Sequence, residues 1–130
     1  MATEIIYKDL SYQVVGVMYE VHNELNRYAN EKQYGDALEC KLKERSIPYI
    51  REYKFVDQRF DSNQARCIVD FMIDGKIILE IKAKLLTTKE DYFQLQRYLT
   101  TLNIRLGMLV NFRQPHLRPK RIVNKFYVAR

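Results

Sequence analysis

Apolar residues first recur at helical spacing near the N-terminus. Val14, Met18, Val21 and Leu25 stand three or four apart and form one stripe, which predicts a helix running to about Arg27. Asp9 or Ser11 is placed to cap it, and Gly16, four residues before Glu20, points to close packing. The stretch Asn26–Asn30 interrupts the pattern. Tyr34, Leu38 and Leu42 then predict a second helix over Glu31–Arg45, which Gly35 weakens by about 1 kcal/mol relative to Ala. Pro48 opens an extended region. Tyr49–Val56 reads as a strand, followed by a polar loop over 57–64. Arg66–Ile73 and Lys76–Lys82 are β-rich runs joined at Asp74-Gly75, the strongest hairpin signal in the chain. Thr88–Thr101 predicts a third helix, with Thr87 or Thr88 as cap and Tyr92, Leu95, Leu99 and Leu102 inward. Arg105–Phe112 is a final core strand, and Val123, Phe126 and Val128 predict a short additional one. The order ααβββαβ describes an α+β domain.

The hairpin register decides where its charged residues point. Glu80 and Lys82 share a face because side chains alternate along a strand. A two-residue loop, Asp74-Gly75, would put Asp70 on the opposite face. A three-residue loop of Ile73, Asp74 and Gly75 pairs Met72 with Lys76 and puts Asp70 beside Glu80 and Lys82. It also places Val69 and Phe71 with Ile77, Leu79 and Ile81. A consistent apolar face sets register, so the odd-length loop is expected. Two carboxylates and a lysine on one sheet face raise each other's cost unless a cation relieves it. A hard divalent cation, Mg²⁺ or Mn²⁺, suits oxygen ligands from Asp70 and Glu80, with the carbonyl of Ile81 as a third. Lys82 is then placed to stabilise charge developing on a phosphate. A salt-bridge cluster on a half-solvated sheet is the simpler alternative for the same three residues.

Composition narrows the picture. The chain has 130 residues, 47% of them apolar and 29% charged, which suits one folded domain over 1–130. No apolar run nears the roughly 18 residues of a membrane span, and no signal peptide is visible. Cys40 and Cys67 are too few for a disulfide framework, so the expected compartment is the cytoplasm. The net charge of +6 is unevenly placed: up to Asp91 there are 14 Lys+Arg against 16 Asp+Glu, and beyond it 8 Lys+Arg and no acid. That basic end, notably Arg113, Arg118, Lys120 and Arg121, suits a nucleic-acid partner.

An ordered set of stretches carries a likeness. VVGVMYEVHNEL, EKQYGDAL, IVDFMI, ILEIKA, QLQRYL and RLGMLVNF follow one another from about Leu10 to Phe112. The set resembles the PD-(D/E)XK nuclease superfamily and, more narrowly, its GxxExxY family, although Tyr28 stands where the name motif has glycine, Gly35 where a helix-favouring residue is usual, and Arg113 where a glycine usually follows Asn-Phe. The resemblance implies a restriction-endonuclease-like αβββαβ core over 31–112, an accessory N-terminal helix within 1–30 and a basic extension over 113–130. It implies Asp70 and Glu80 as metal ligands, Lys82 as catalytic lysine, and Glu31 as an additional acid. Gln94 would face the site together with Tyr98; Glu20, His22 and Tyr34 are secondary candidates. The function implied is metal-dependent phosphodiester hydrolysis in DNA or RNA. A catalytically silent nucleic-acid-binding or regulatory module, or an interaction protein forming a homodimer, are the alternatives.

Overall fold

The computed structural model describes residues 4–61 and 65–130. The elements in chain order are α1 (Lys8–Leu25), α2 (Glu31–Glu44), β1 (Tyr49–Val56), β2 (Arg66–Ile73), β3 (Ile77–Lys82), α3 (Lys89–Leu102), β4 (Leu106–Asn111) and β5 (Lys120–Val123). Of the expected polar loop over 57–64, residues 62–64 lie outside the described residues.

The helix starts follow local chemistry in two cases of three. Asn30 caps α2 through a reciprocal pair: its side chain accepts from Gln33 N at 2.8 Å and its own N–H donates to Gln33 Oε1 at 2.9 Å. Thr88 and Asp91 do the same for α3, with Thr88 N donating to Asp91 Oδ2 at 2.8 Å. At α1 neither Asp9 nor Ser11 is the cap. Tyr7 takes that position in the left-handed region, φ 50°, with no side-chain cap. Ser11 lies one turn in, buried, and donates back to Lys8 O at 3.2 Å.

The strands form one mixed sheet in the order β1-β2-β3-β4-β5. β1, β2 and β3 are an antiparallel meander, β4 runs parallel to β3 through the α3 crossover, and β5 returns antiparallel on β4. The fifth strand lies at Lys120–Val123; Phe126 and Val128 follow it and are exposed. Helices cover both faces. One apolar cluster joins α1 and α2 to the sheet through Val14, Met18, Tyr34, Leu38, Phe71 and Phe112. The other joins α3 through Leu95, Tyr98, Leu99, Met72, Ile78 and Leu109. On α3 the inward residues are Leu95, Tyr98 and Leu99, whereas Tyr92 is 39% exposed.

Gly107 on β4 lets α3 sit this close. A Cβ there would stand 3.0 Å from Leu99 Cδ1 and 3.1 Å from Leu95 Cγ. Gly107→Ala is expected to push the helix outward at a cost of about 1–3 kcal/mol. A thermal melt should show a midpoint lowered by roughly 4–12 °C; an unchanged midpoint would mean that the helix yields freely.

The hairpin combines both turns weighed from the sequence. Asp74 and Gly75 take φ 52° and 62°, and Lys76 N donates to Ile73 O at 2.9 Å, closing a tight Asp-Gly turn. The ladder then pairs Ile73 with Ile77, Met72 with Ile78 and Phe71 with Leu79, so Lys76 is one extra residue. The intervening residues are Asp74, Gly75 and Lys76 rather than Ile73, Asp74 and Gly75, and Met72 does not pair with Lys76. The offset stays odd, so the next opposed positions are Asp70 and Glu80.

Strict alternation fails just there. Tyr49, Phe71 and Ile73 pack with the α1–α2 cluster, but Tyr53, Phe55, Cys67 and Val69 pack with the α3 cluster. Both strands therefore change face between Arg51 and Tyr53 and between Val69 and Phe71. Glu52, at φ 53°, and Asp70 are the opposed residues missing from the β1–β2 ladder at that point. Val69 accordingly does not share the face of Leu79 and Ile81.

Candidate active site

The β2–β3 ladder ends at Phe71–Leu79, and beyond it the two carboxylates take the place of backbone partners. Asp70 N–H donates to Glu80 Oε1 at 3.3 Å, and Ile81 N–H donates to Asp70 Oδ2 at 2.7 Å. Asp70 and Glu80 are thus neighbours where the strands part. Glu80 is 6% exposed and Asp70 half-buried. Burial, reinforced by the charge of Asp70, pushes the Glu80 carboxyl up to about 9. Lys82 lowers it, but by less than those two raise it.

The backbone at Ile81 completes the gap. Its N–H points toward β2, and in a strand the carbonyl of the same residue points to the same side. Lys82 points its carbonyl the other way and accepts Phe112 N at 2.8 Å. The Ile81 carbonyl therefore faces the space that β2 leaves. Among the described residues no three His, Cys, Asp or Glu side chains gather into a metal-holding group. What the gap offers is two adjacent carboxylates and a carbonyl. All are hard oxygen donors, suited to a cation that keeps several waters. Burial first and the charge of Asp70 second disfavour an ionised Glu80, and a divalent cation bound there would favour it.

Glu31, at the first turn of α2, and Asp70 line one cleft of about 200 Å³, with Arg51, Glu52 and the edge of Ile81. Glu31 and Asp70 thus border the same cleft. Gly35 has its reason here. The Arg51 guanidinium lies over it, 2.5 Å from where a Cβ would be, and is held by Asp36 at 2.6 Å and Glu39 at 3.2 Å. A side chain at position 35 would push Arg51 into the cleft.

Lys82 points to the α3 side, 3.9 Å from Asp91 Oδ1, while Lys84 is 2.5 Å from Asp91 Oδ2. Burial works against the charge of Asp91, but Lys84, the Thr88 N–H and Lys82 outweigh it and hold its carboxyl below the usual range. Asn111 fixes the same backbone: its Nδ2 donates to Lys84 O at 2.7 Å and its Oδ1 accepts from Lys84 N at 3.2 Å. The sequence reading missed Asp91, Lys84 and Asn111. Thr88-x-x-Asp91 is a visible capping box, yet nothing local says that its acid also reaches two lysines on another element.

Several expected site residues lie elsewhere. Glu20 pairs with Arg45 and, at 3.6 Å, with Lys41, on the α1–α2 surface. His22 is buried with Nε2 2.8 Å from Gln114 O, where it ties α1 to the chain after β4. Tyr34 is fully buried, stacks on Phe112 with ring centroids 4.3 Å apart, and donates to Asn26 O at 2.5 Å. It is a core residue that pins the α1–α2 turn. Gln94 is exposed on α3 and, among the described residues, makes no hydrogen bond to Asp70, Glu80 or Lys82. Tyr98 is nearer the site. It is buried edge-on against Phe55, 5.2 Å between centroids, and burial together with Cys67 and Glu80 raises its hydroxyl pKa.

The basic residues do not form one patch. Lys120 and Arg118 line a cleft with Thr87 and Asn111, beside the start of α3. Arg121, the next residue along β5, turns the other way and donates to Ile6 O at 2.8 Å. Arg113 is half-buried, its carbonyl accepting from Arg27 Nε at 2.8 Å. Alternation along β5 separates what the sequence placed side by side.

A family profile, that of the PD-(D/E)XK nuclease superfamily, matches the chain over residues 8–124. The chain belongs to the PD-(D/E)XK nuclease superfamily. No curated protein and no solved structure gives a significant match. In this PD-(D/E)XK domain the profile spans α1 and β5 as well as the αβββαβ core. No described helix is long and apolar enough to cross a membrane.

Proposed function

We propose that this PD-(D/E)XK domain, one unit over 1–130 and a member of the GxxExxY family, is a divalent-metal-dependent nuclease that hydrolyses phosphodiester bonds in DNA or RNA. The observation that carries this reading is the pairing of Asp70 with Glu80 where β2 and β3 part, with Lys82 two residues on. Asp70, Glu80 and the Ile81 carbonyl would hold Mg²⁺ or Mn²⁺. Bound there, the cation would supply Lewis acidity toward a phosphate oxygen and make water more acidic. Lys82 places a positive charge beside the same gap and stabilises the negative charge that builds on the phosphate during in-line attack. Glu31 contributes a further acid from the cleft side. Arg118 and Lys120 hold the strand's phosphates at the flank. Free Cys40 and Cys67 suit a reducing compartment, in keeping with action in the cytoplasm.

Incubation with plasmid, single-stranded DNA and RNA in Mg²⁺, Mn²⁺ or chelator tests the proposal. Cleavage with either metal and none in chelator is expected. Salt-sensitive binding without cleavage in any metal would favour the silent module instead.

Asp91 sets the position of Lys82 in this scheme. Asp91→Asn keeps an oxygen for the Thr88 N–H but removes the charge that draws Lys82 and Lys84. The rate should fall about tenfold, in the range set by misplacing one charged group, with the thermal midpoint nearly unchanged. An unaltered rate would remove Asp91 from the machinery.

A further inference from the structure

A second cavity, of about 210 Å³, opens on the outer flank of α3, lined by Arg59, Arg97, Lys125, Gln96, Thr100 and Phe126, with no acid among the described residues of its wall. Its cations are built in rather than scattered. Asp57 lies behind the wall with its side chain 2% exposed. It accepts from Arg59 Nε at 2.9 Å and Arg59 Nη2 at 2.8 Å, and lies 3.7 Å from Arg97 Nε. Arg59 Nη2 also donates to Thr101 Oγ1 at 2.8 Å. Arg97 is flanked by the rings of Phe60 and Tyr98, at 4.9 Å and 5.3 Å from their centroids. One buried carboxylate thus holds the Arg59 guanidinium by hydrogen bonds and lies near that of Arg97, whose buried Nε has no hydrogen-bond partner among the described residues, and Lys125 adds a third cation. The hydrogen bonds from Arg59 hold the Asp57 carboxyl down at about 2, so this arrangement persists throughout the neutral range.

The third wall is equally fixed. Asn124 is buried and ties the chain after β5 to the end of α3, donating to Leu99 O at 3.1 Å and Ile104 O at 3.0 Å. Its Oδ1 accepts from Phe126 N at 2.9 Å. Lys125 and Phe126 are therefore held beside the cavity, and Phe126 is 73% exposed. Preorganised guanidiniums recognise phosphate, and an exposed ring beside them stacks an unpaired base. Arg97 lies six residues along α3 from Asp91, roughly 9 Å by helical rise.

We infer that Arg59, Arg97 and Lys125 bind a backbone phosphate of a single-stranded nucleic acid, with a base stacked on Phe126, away from the carboxylate gap. The inference rests on the nuclease reading for its partner and deepens it by giving the strand a second anchor.

The test is binding of a fluorescent single-stranded oligonucleotide in chelator, read as a function of salt. The variants are Arg59→Gln with Lys125→Gln, Phe126→Ala, and Lys43→Gln on the exposed far side of α2 as control. The Arg59–Lys125 double variant should lower the log–log salt slope by about 0.7, the share of one phosphate on a single strand. Phe126→Ala should weaken binding about tenfold with the slope unchanged. Lys43→Gln should do neither. Because Phe126 is exposed, Phe126→Ala, and Lys125→Gln made alone, read binding even if substitution at Arg59 disturbs the loop. A wild-type slope retained in the double variant, or no binding by the wild type, would overturn the inference. Inorganic phosphate binding that the double variant loses, with oligonucleotide affinity unchanged, would overturn the nucleic-acid assignment in favour of a small-anion site. Chelator keeps cleavage out of the readout. Loss of slope in a protein that never cuts would sink the nuclease reading and leave this site standing, and an unchanged slope in a protein that cuts would do the reverse.

Discussion

Asp70→Asn and Lys82→Ala are each expected to lower the proposed phosphodiester cleavage by about 10²–10³-fold, the range found when a preorganised stabilising group at a reacting centre is removed. Asp70→Asn is the cleaner of the two. Asn still offers an oxygen to the Ile81 N–H that Asp70 Oδ2 now accepts at 2.7 Å, so the β2–β3 gap keeps its shape while losing a charge. Lys82 is 20% exposed at its side chain, and Asp91, 3.9 Å away, keeps Lys84 at 2.5 Å, so its truncation leaves that carboxylate paired. Both variants should therefore melt near the wild type while failing to cut. Their effects should not add, because groups that serve one transition state fail together. Initial rates on a labelled substrate, with melts alongside, check this. Wild-type rates in both variants would exclude the gap as the seat of cleavage.

Glu80→Gln is expected to abolish cleavage as well, yet to stabilise the protein in chelator by roughly 1–3 kcal/mol near pH 8, since a buried carboxylate beside another is costly when charged. The sign follows from the folded value. Burial and Asp70 raise Glu80 from 4.5 to about 9. Below pH 4.5 the group is protonated in both folded and unfolded chains, and its contribution is fully present. Between 4.5 and about 9 the unfolded chain releases a proton that the folded chain keeps, so stability falls as pH rises. Glutamine escapes that loss, and its advantage should grow across this window and vanish in acid. Added Mg²⁺ or Mn²⁺ should reverse the order, because ligand binding stabilises the wild type and the variant lacks one ligand. Thermal melts at pH 4, 6 and 8, with and without metal, read all of this. A destabilised variant in chelator at pH 8 would mean that the neighbouring carboxyls do not oppose each other.

The elements were largely legible in the sequence because their cores are periodic. Val14, Met18 and Val21, or Tyr34, Leu38 and Leu42, bury as their spacing requires. Asp74-Gly75 disclosed the hairpin, and apolar consistency pointed to an odd-length loop with Asp70 and Glu80 on one face, though the register differs from the one expected and Val69 does not join Leu79 and Ile81. What alternation could not reveal is the face change at Glu52 and Asp70. It depends on a non-glycine residue at φ 53°, which no propensity favours, and it sends Val69 to the α3 side. The α1 start was misjudged because Tyr7, with no capping side chain, stands where Asp9 or Ser11 was expected. Of the site, Asp70, Glu80 and Lys82 were readable from one hairpin. Asp91, Lys84 and the Arg59–Asp57–Arg97 cluster were not, because each joins segments that only the tertiary fold brings together. Charge counting found the basic C-terminal end but not its division between faces, since neighbours on β5 point opposite ways.

Crystals soaked in Mn²⁺ and read for anomalous scattering test the central claim most directly. A peak is predicted between Asp70 and Glu80, within about 2.0–2.6 Å of both carboxylates and of the Ile81 carbonyl. A protein that cleaves nucleic acid in Mn²⁺ yet shows its peak elsewhere, with that gap empty, would contradict it.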